Sequence, residues 1–219
     1  MIGLSKVISV ATQRQKIERL LRETPSPSLA RNHLLRLLEQ DGVKALNKIS
    51  VGNVPTLIRL IGSSIYLSDV LIRQGKNWPK LFLRQIKINQ KTVAEHLAEL
   101  EPLVRNAPSL AEFSAGLRQH KQREYLRIGA RDLLPSVTLE ETVRELTALA
   151  EASLEASYRY ARAEVESDFG ELLLPGKSDR NGFVILGMGK LGGGELNFSS
   201  DIDVIFLYEE DEGESSGGR

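Results

Sequence analysis

Apolar residues recur at helical spacing along most of the chain. Ile17, Leu20 and Leu21 mark a first helix, ended by Thr24-Pro25-Ser26-Pro27. Leu34, Leu35, Leu37 and Leu38 mark a second, stopped near Asp41-Gly42. Leu57, Ile58, Leu60 and Ile61 form another run, which Tyr66, Leu67, Val70 and Leu71 continue. Thr92 and Glu95 stand at capping-box spacing ahead of Val93, Leu97 and Leu100, and Pro102 is expected to limit that helix. Glu112 to Leu134 reads as helix again, with Phe113, Leu117, Tyr125, Leu126 and Ile128 as its apolar positions and Pro135 closing it. The clearest helix spans Leu139 to Asp168. It follows a second capping-box pair, Thr138 and Glu141, and carries the stripe Val143, Leu146, Leu149, Leu154, Tyr158, Ala161 and Val165. Such a stripe predicts a core-facing helix and nothing about a cofactor.

The character of the chain changes near residue 180. Leu172 to Asn181 reads as a loop from its Pro, Gly, Ser, Asp and Asn content. Phe183-Val184-Ile185-Leu186 and Val204-Ile205-Phe206-Leu207-Tyr208 are short β-branched or aromatic runs bounded by turn residues, and they predict two strands. The tail from Glu209 is acidic and rich in Gly and Ser, and it predicts a mobile loop. Two strands alone make a marginal sheet in water, so the sheet region is expected to be incomplete and to lead into further strands.

Composition narrows the chemistry. The 219 residues include 29 Lys plus Arg and 29 Asp plus Glu, so no net field draws the chain to nucleic acid or an anionic membrane. There is no cysteine, which excludes disulfides, thiolate metal sites and cysteine nucleophiles. His33, His96 and His120 are far apart in sequence, and none has a second histidine at i+3 or i+4. The expectation is surface or partly buried helix residues rather than metal ligands. The N-terminal stretch MIGLSKVISVATQRQK is broken by Ser5, Lys6 and Ser9 and lacks the form of a signal peptide. No segment reaches the roughly 18 consecutive apolar residues of a membrane span. A cytoplasmic location is the default expectation.

The candidate chemistry lies between the two predicted strands. Asp201 and Asp203 stand at the entry to the second strand. Residues i and i+2 of a strand share a face, so both carboxylates are expected to project from one edge. Hard oxygen ligands of this kind suit Mg²⁺. Alone, the pair reads equally as two turn aspartates, but its surroundings favour a site. The first strand runs into Gly187 and Gly189, then Lys190, then Gly192, Gly193 and Gly194. Backbone amides of such a loop can approach a phosphate unobstructed. Lys190 offers a charge to that phosphate, and Ser199 and Ser200 offer hydroxyl donors.

Two competing motifs fit less well. Gly187-Met188-Gly189-Lys190-Leu191-Gly192 satisfies G-x-G-x-x-G, but three glycines in a row, Gly192 to Gly194, disfavour an immediate helix, and a new strand begins close behind. Gly170 and Gly176-Lys177-Ser178 resemble a P-loop, but five residues separate the glycines where four are required, and Pro175 lies in the gap.

The segment GMGKLGGGELNFSSDIDVIF closely resembles the signature of the bifunctional glutamine synthetase adenylyltransferase/adenylyl-removing enzymes, members of the DNA polymerase β-like nucleotidyltransferase superfamily. The stretch Arg123 to Leu133 and the helix after Thr138 resemble the helical lead before the catalytic palm of that family. Gly189-Lys190 fits the superfamily's glycine turn by spacing, with Lys in place of the usual small residue, while Gly192-Gly193 lies rather close to Asp201.

The resemblance implies an α+β fold: a mostly helical region over residues 1–178, then the first strands of a polymerase β-like palm over 179–219. It implies Mg²⁺ on Asp201 and Asp203, and a nucleotide (ATP or ADP) on Gly187, Gly189, Lys190, Gly192, Gly193, Ser199 and Ser200. The implied partner is glutamine synthetase, with an AMP group removed from or added to one of its tyrosines. Details of the chain look more like the N-terminal, AMP-removing unit of those two-unit enzymes. Family members also respond to the nitrogen-signalling PII protein and to glutamine; membrane and nucleic acid are not expected partners. The superfamily's third carboxylate lies on a later strand, so this chain is expected to be an N-terminal fragment with little activity of its own. Two alternatives stay open: another polymerase β-like nucleotidyltransferase, or a non-catalytic helical interaction module.

Overall fold

The computed structural model describes residues 11–41, 46, 48–50, 52–86, 89–173, 182–209 and 214–217. The start of the N-terminal apolar stretch, the Gly176-Lys177-Ser178 run and the acidic residues 210–213 lie outside them. The fold is α+β and mostly helical. Among the described residues eight α-helices come first: α1 (Ala11–Arg22), α2 (Pro27–Asp41), α3 (Val54–Ser63), α4 (Ile65–Ile72), α5 (Trp78–Gln85), α6 (Val93–Asn106), α7 (Leu110–Asp132) and α8 (Leu139–Phe169). Then come β1 (Leu172–Leu173), β2 (Phe183–Gly187), the one-turn helix α9 (Gly189–Gly192), β3 (Val204–Tyr208) and β4 (Glu214–Ser215).

By proximity the chain forms two compact units. One holds residues 1–90 and 121–142, the other 91–120 and 143–219, so α7 and α8 each contribute to both. The first unit packs Leu34, Leu37, Leu57, Ile58, Leu60 and Ile61 with Trp78, Phe82, Leu126 and Ala130. Each of these leucine, isoleucine and phenylalanine side chains contributes on the order of 1.5–3 kcal/mol by leaving water. Trp78 is wholly buried, and its indole N–H donates to the Leu37 carbonyl at 3.2 Å. Arg127, also wholly buried, donates from Nε to Glu124 at 2.7 Å and from a terminal nitrogen to the Asn89 carbonyl at 3.1 Å. Paired in this way, the charges of the Arg123–Leu133 stretch can sit in an apolar setting.

The structure revises several helix boundaries. The run Leu57 to Leu71 is two helices bent by 119°, not one. Ser64 is extended at the break, and its hydroxyl accepts from the Leu67 amide, capping α4. Pro102 does not limit α6, which continues to Asn106. The stop comes instead at Ala107, held extended because Pro108 follows it. Helix α5, which the apolar pattern does not announce, starts at Trp78-Pro79, where proline's fixed φ and missing N–H suit a first turn. Among the described residues no single helix is long and apolar enough to cross a membrane.

The expected capping boxes form. Thr92 and Glu95 exchange hydrogen bonds ahead of α6, and Thr138 and Glu141 do so ahead of α8. Along α8 the apolar stripe divides. Leu146, Leu149, Ala152, Ala156 and Tyr160 are buried, and Tyr160 stacks on Phe113 at 4.3 Å between centroids. Ala161 and Val165 are exposed, contrary to the single core-facing stripe. Tyr158 faces the strands and stacks on Phe183 at 5.5 Å, with Phe183 in turn 5.7 Å from Phe206.

Strands β2 and β3 pair antiparallel from Phe183↔Tyr208 to Gly187↔Val204. Val184, Leu186, Ile205, Phe206, Leu207 and Tyr208 are exposed on this two-stranded sheet. Leu172 and Leu173, expected in a loop, pair antiparallel with Ser215 and Glu214, which the reading of the tail as a mobile loop did not foresee. The Ser216 hydroxyl accepts from the Glu171 amide and the Ser216 amide donates to the Glu171 carbonyl, both at 2.9 Å, so backbone satisfaction outweighs the polar composition there.

Candidate functional site

The β2–β3 pairing fixes the ends of the connecting loop, and Gly187 and Val204 close its mouth. One residue further, the Met188 amide donates to the Asp203 carbonyl at 2.9 Å, extending the pairing beyond the ladder. Asp201 and Asp203 therefore lie in the approach to β3, with Val204 its first ladder residue. Both aspartates are exposed.

Within the loop, one helical turn forms where the three glycines were expected to prevent a helix. It spans Gly189–Gly192 and ends at Gly193. Gly189 opens it with φ +53°, a conformation side chains disfavour. A β-carbon built on Gly189 would stand 3.9 Å from Asp203 Oδ2, so the carboxylate lies against the glycine turn. Gly192 meets the carbonyl oxygen of Gly187, where a β-carbon would sit only 2.6 Å away. Leu191 is buried and anchors the turn. These contacts assign Gly187 and Gly192 to closing the turn, and Lys190 is left exposed upon it.

Two further anchors hold the descending half of the loop. Leu196 is buried, and its amide donates to the Thr147 hydroxyl of α8 at 3.2 Å. Asn197 then builds a polar turn. Its side-chain oxygen accepts from the Ser199 amide at 3.1 Å and from the Ser200 hydroxyl at 2.8 Å, a side-chain-capped turn leading straight into Asp201. Ser199 and Ser200 thus brace the approach to the aspartates. Thr147 and Leu196 were not singled out from the sequence; an apolar Leu196 and Phe198 within the mainly polar ELNFSSD run were the available signal.

A groove of about 670 Å³ runs beside the turn, with Glu151, Tyr158, Ile185, Gly187, Leu191 and Gly192 among its lining residues. Asp201 and Asp203 are not among them and stand on open surface. Exposed hard oxygen donors next to a glycine turn fit a solvated divalent cation such as Mg²⁺, which retains waters and takes few protein ligands.

The histidines are not where composition suggested. All three are buried. His33 Nδ1 pairs with the Ile61 carbonyl at 2.8 Å, a structural contact inside the first unit. His96 and His120, distant in sequence, come together with Nδ1 of the former 3.3 Å from Nε2 of the latter.

Comparison with known proteins places this sequence first among the adenylyltransferases. Residues 54–219 match the family model described as Glutamate-ammonia ligase adenylyltransferase. That match covers more than half of the chain, and the chain belongs to this family. Similar relatives carry the name "Bifunctional glutamine synthetase adenylyltransferase/adenylyl-removing enzyme". The Shewanella woodyi protein is 34% identical over 79% of this chain and 18% of its own length. The Thioalkalivibrio sulfidiphilus protein is 34% identical over 88% of this chain and 20% of its own length. The Vibrio parahaemolyticus protein is 41% identical over 55% of this chain and 12% of its own length. The chain thus spans about a fifth or less of the curated relatives it matches.

Proposed function

We propose that these residues form the opening part of a nucleotidyltransferase site that acts on glutamine synthetase, removing AMP from a tyrosine of that enzyme. The observation that carries the reading is the Asp203 carboxylate set against Gly189, inside the stretch that matches the adenylyltransferase family. The names of the relatives support the substrate, and they support adenylyl addition and removal as the two directions of transfer. The residues 179–219 are read as the start of a polymerase β-like palm, and 1–178 as its helical lead.

Asp201 and Asp203 would hold Mg²⁺, whose chemistry is to neutralise phosphate oxygens during an in-line displacement. The rest falls to the chain's own groups. The Gly187–Gly193 turn presents backbone to a phosphate, and Lys190 adds a mobile positive charge beside it. Ser200, tied to Asn197, keeps Asp201 in place for its ligand. In the removing direction, an oxygen of inorganic phosphate bonds to the α-phosphorus as the bond to the tyrosine oxygen breaks. ADP departs, and the tyrosine oxygen regains a proton. A cytoplasmic setting and control by PII protein belong to the same proposal.

The test is phosphate-dependent release of ADP from adenylylated glutamine synthetase by the full-length polypeptide that carries these residues. Asp201→Asn with Asp203→Asn is expected to abolish it. Unchanged turnover in that variant would remove the assignment.

A further inference from the structure

Away from the glycine turn, α6 and the first half of α7 bring together a second set of metal-ligating groups. His96 and Glu99 are three residues apart on α6, so they share a helix face. His120 reaches them from α7. One ligand atom from each of the three lies within 4.8 Å of the others. His96 is wholly buried and His120 nearly so, whereas the Glu99 side chain is about half exposed and leaves the cluster open on that side.

We infer that His96, His120 and Glu99 form a binding site for a transition-metal ion of the Zn²⁺ class, distinct from Asp201 and Asp203. The spacing carries the argument. Two nitrogens bound to one tetrahedral zinc at 2.0–2.1 Å stand about 3.3–3.4 Å apart. His96 Nδ1 and His120 Nε2 are separated by 3.3 Å, with their rings edge-on at 86°. The same distance serves a ring-to-ring hydrogen bond, and it matches the width an ion needs without moving either ring. Glu99 Oε2 stands 3.9 Å from His120 Nδ1, the ring's other nitrogen, so the carboxylate joins an ion held on Nε2 by rotating round the ring edge. Two imidazoles and one carboxylate select zinc-like ions over Mg²⁺, and a fourth position stays open for water.

Lys91 sets the affinity. Its ammonium lies 2.8 Å from both oxygens of Glu99 and is itself buried. It competes with an incoming cation for the carboxylate. The site is therefore one of moderate affinity, tuned by a resident positive charge, and metal uptake ties α6 to α7.

The experiment is calorimetric titration of Zn²⁺ alone into the 219-residue chain carrying Asp201→Asn and Asp203→Asn, which removes the first site as a competitor. Expected are one equivalent bound and zinc-induced shifts in the ring ¹⁵N signals of two histidines. Glu99→Gln, with its fold checked by circular dichroism because Lys91 loses its partner, weakens binding by roughly ten- to a hundredfold. Lys91→Met strengthens it. Binding that ignores both substitutions, binding that leaves the histidine rings unshifted, or no binding in a chain with unaltered circular dichroism would each overturn the proposal. The outcome is independent of whether Asp201 and Asp203 serve adenylyl transfer.

Discussion

Gly192 rests on the carbonyl oxygen of Gly187, and a β-carbon at position 192 would stand 2.6 Å from it. That contact is with backbone, which cannot swing aside as a side chain would. Gly192→Ala is expected to open the turn that holds Gly189 against Asp203, at a cost of about 1–3 kcal/mol. Mg-dependent nucleotide binding should fall with it. Gly52→Ala, where a β-carbon meets nothing within 4 Å, is the control that should leave both unchanged. Thermal unfolding and nucleotide titration of the two variants check the contrast.

Arg127 and Glu124 form a buried ion pair within the first unit. Removing one charge strands the other. Arg127→Met is expected to cost about 3–5 kcal/mol, while Arg127→Met combined with Glu124→Leu recovers most of that loss. Trp78, the single tryptophan, is buried in the same unit and reports its unfolding by fluorescence in urea. Additive losses in the double variant would contradict the pairing.

The pH response has a definite sign at Glu18. The hydrogen bond from Arg31 holds its carboxyl below the usual carboxylate range, against an opposing push from burial. A depressed folded-state pKa stabilises the fold above the unfolded-state value, and the contribution disappears as pH falls through the folded value. Acid unfolding of the wild type should therefore show a loss of stability below the ordinary carboxylate range that is smaller in Arg31→Gln. Melting curves taken at descending pH compare the two.

Much of this was legible in the sequence where local chemistry decides. The capping pairs Thr92–Glu95 and Thr138–Glu141, the strands on either side of the glycines, and the mainly helical α+β class follow from residue type and spacing. What was not legible depends on tertiary partners. Pro102 was expected to stop α6, but the stop comes from Pro108, which acts one residue back. The stripe on α8 carries two faces because Tyr160 meets Phe113 while Tyr158 meets Phe183. Ser64 divides a continuous helical pattern of apolar positions because its hydroxyl caps a new helix. At the site, the spacing of Asp201 and Asp203 was readable, but the roles of Leu196 and Thr147 were not, since a hydrogen bond spanning 49 residues has no local signature. His96 and His120 illustrate the same limit: 24 residues apart in sequence, they meet only because two helices pack.

The most direct test of the central claim is isothermal titration of ATP into the 219-residue chain with and without Mg²⁺, repeated on the Asp201→Asn, Asp203→Asn variant. If Asp201 and Asp203 hold the metal, Mg-dependent binding is expected in the wild type and its loss in the variant, with the Trp78 unfolding curve unchanged. Equal Mg-dependent binding by the two proteins would contradict that assignment.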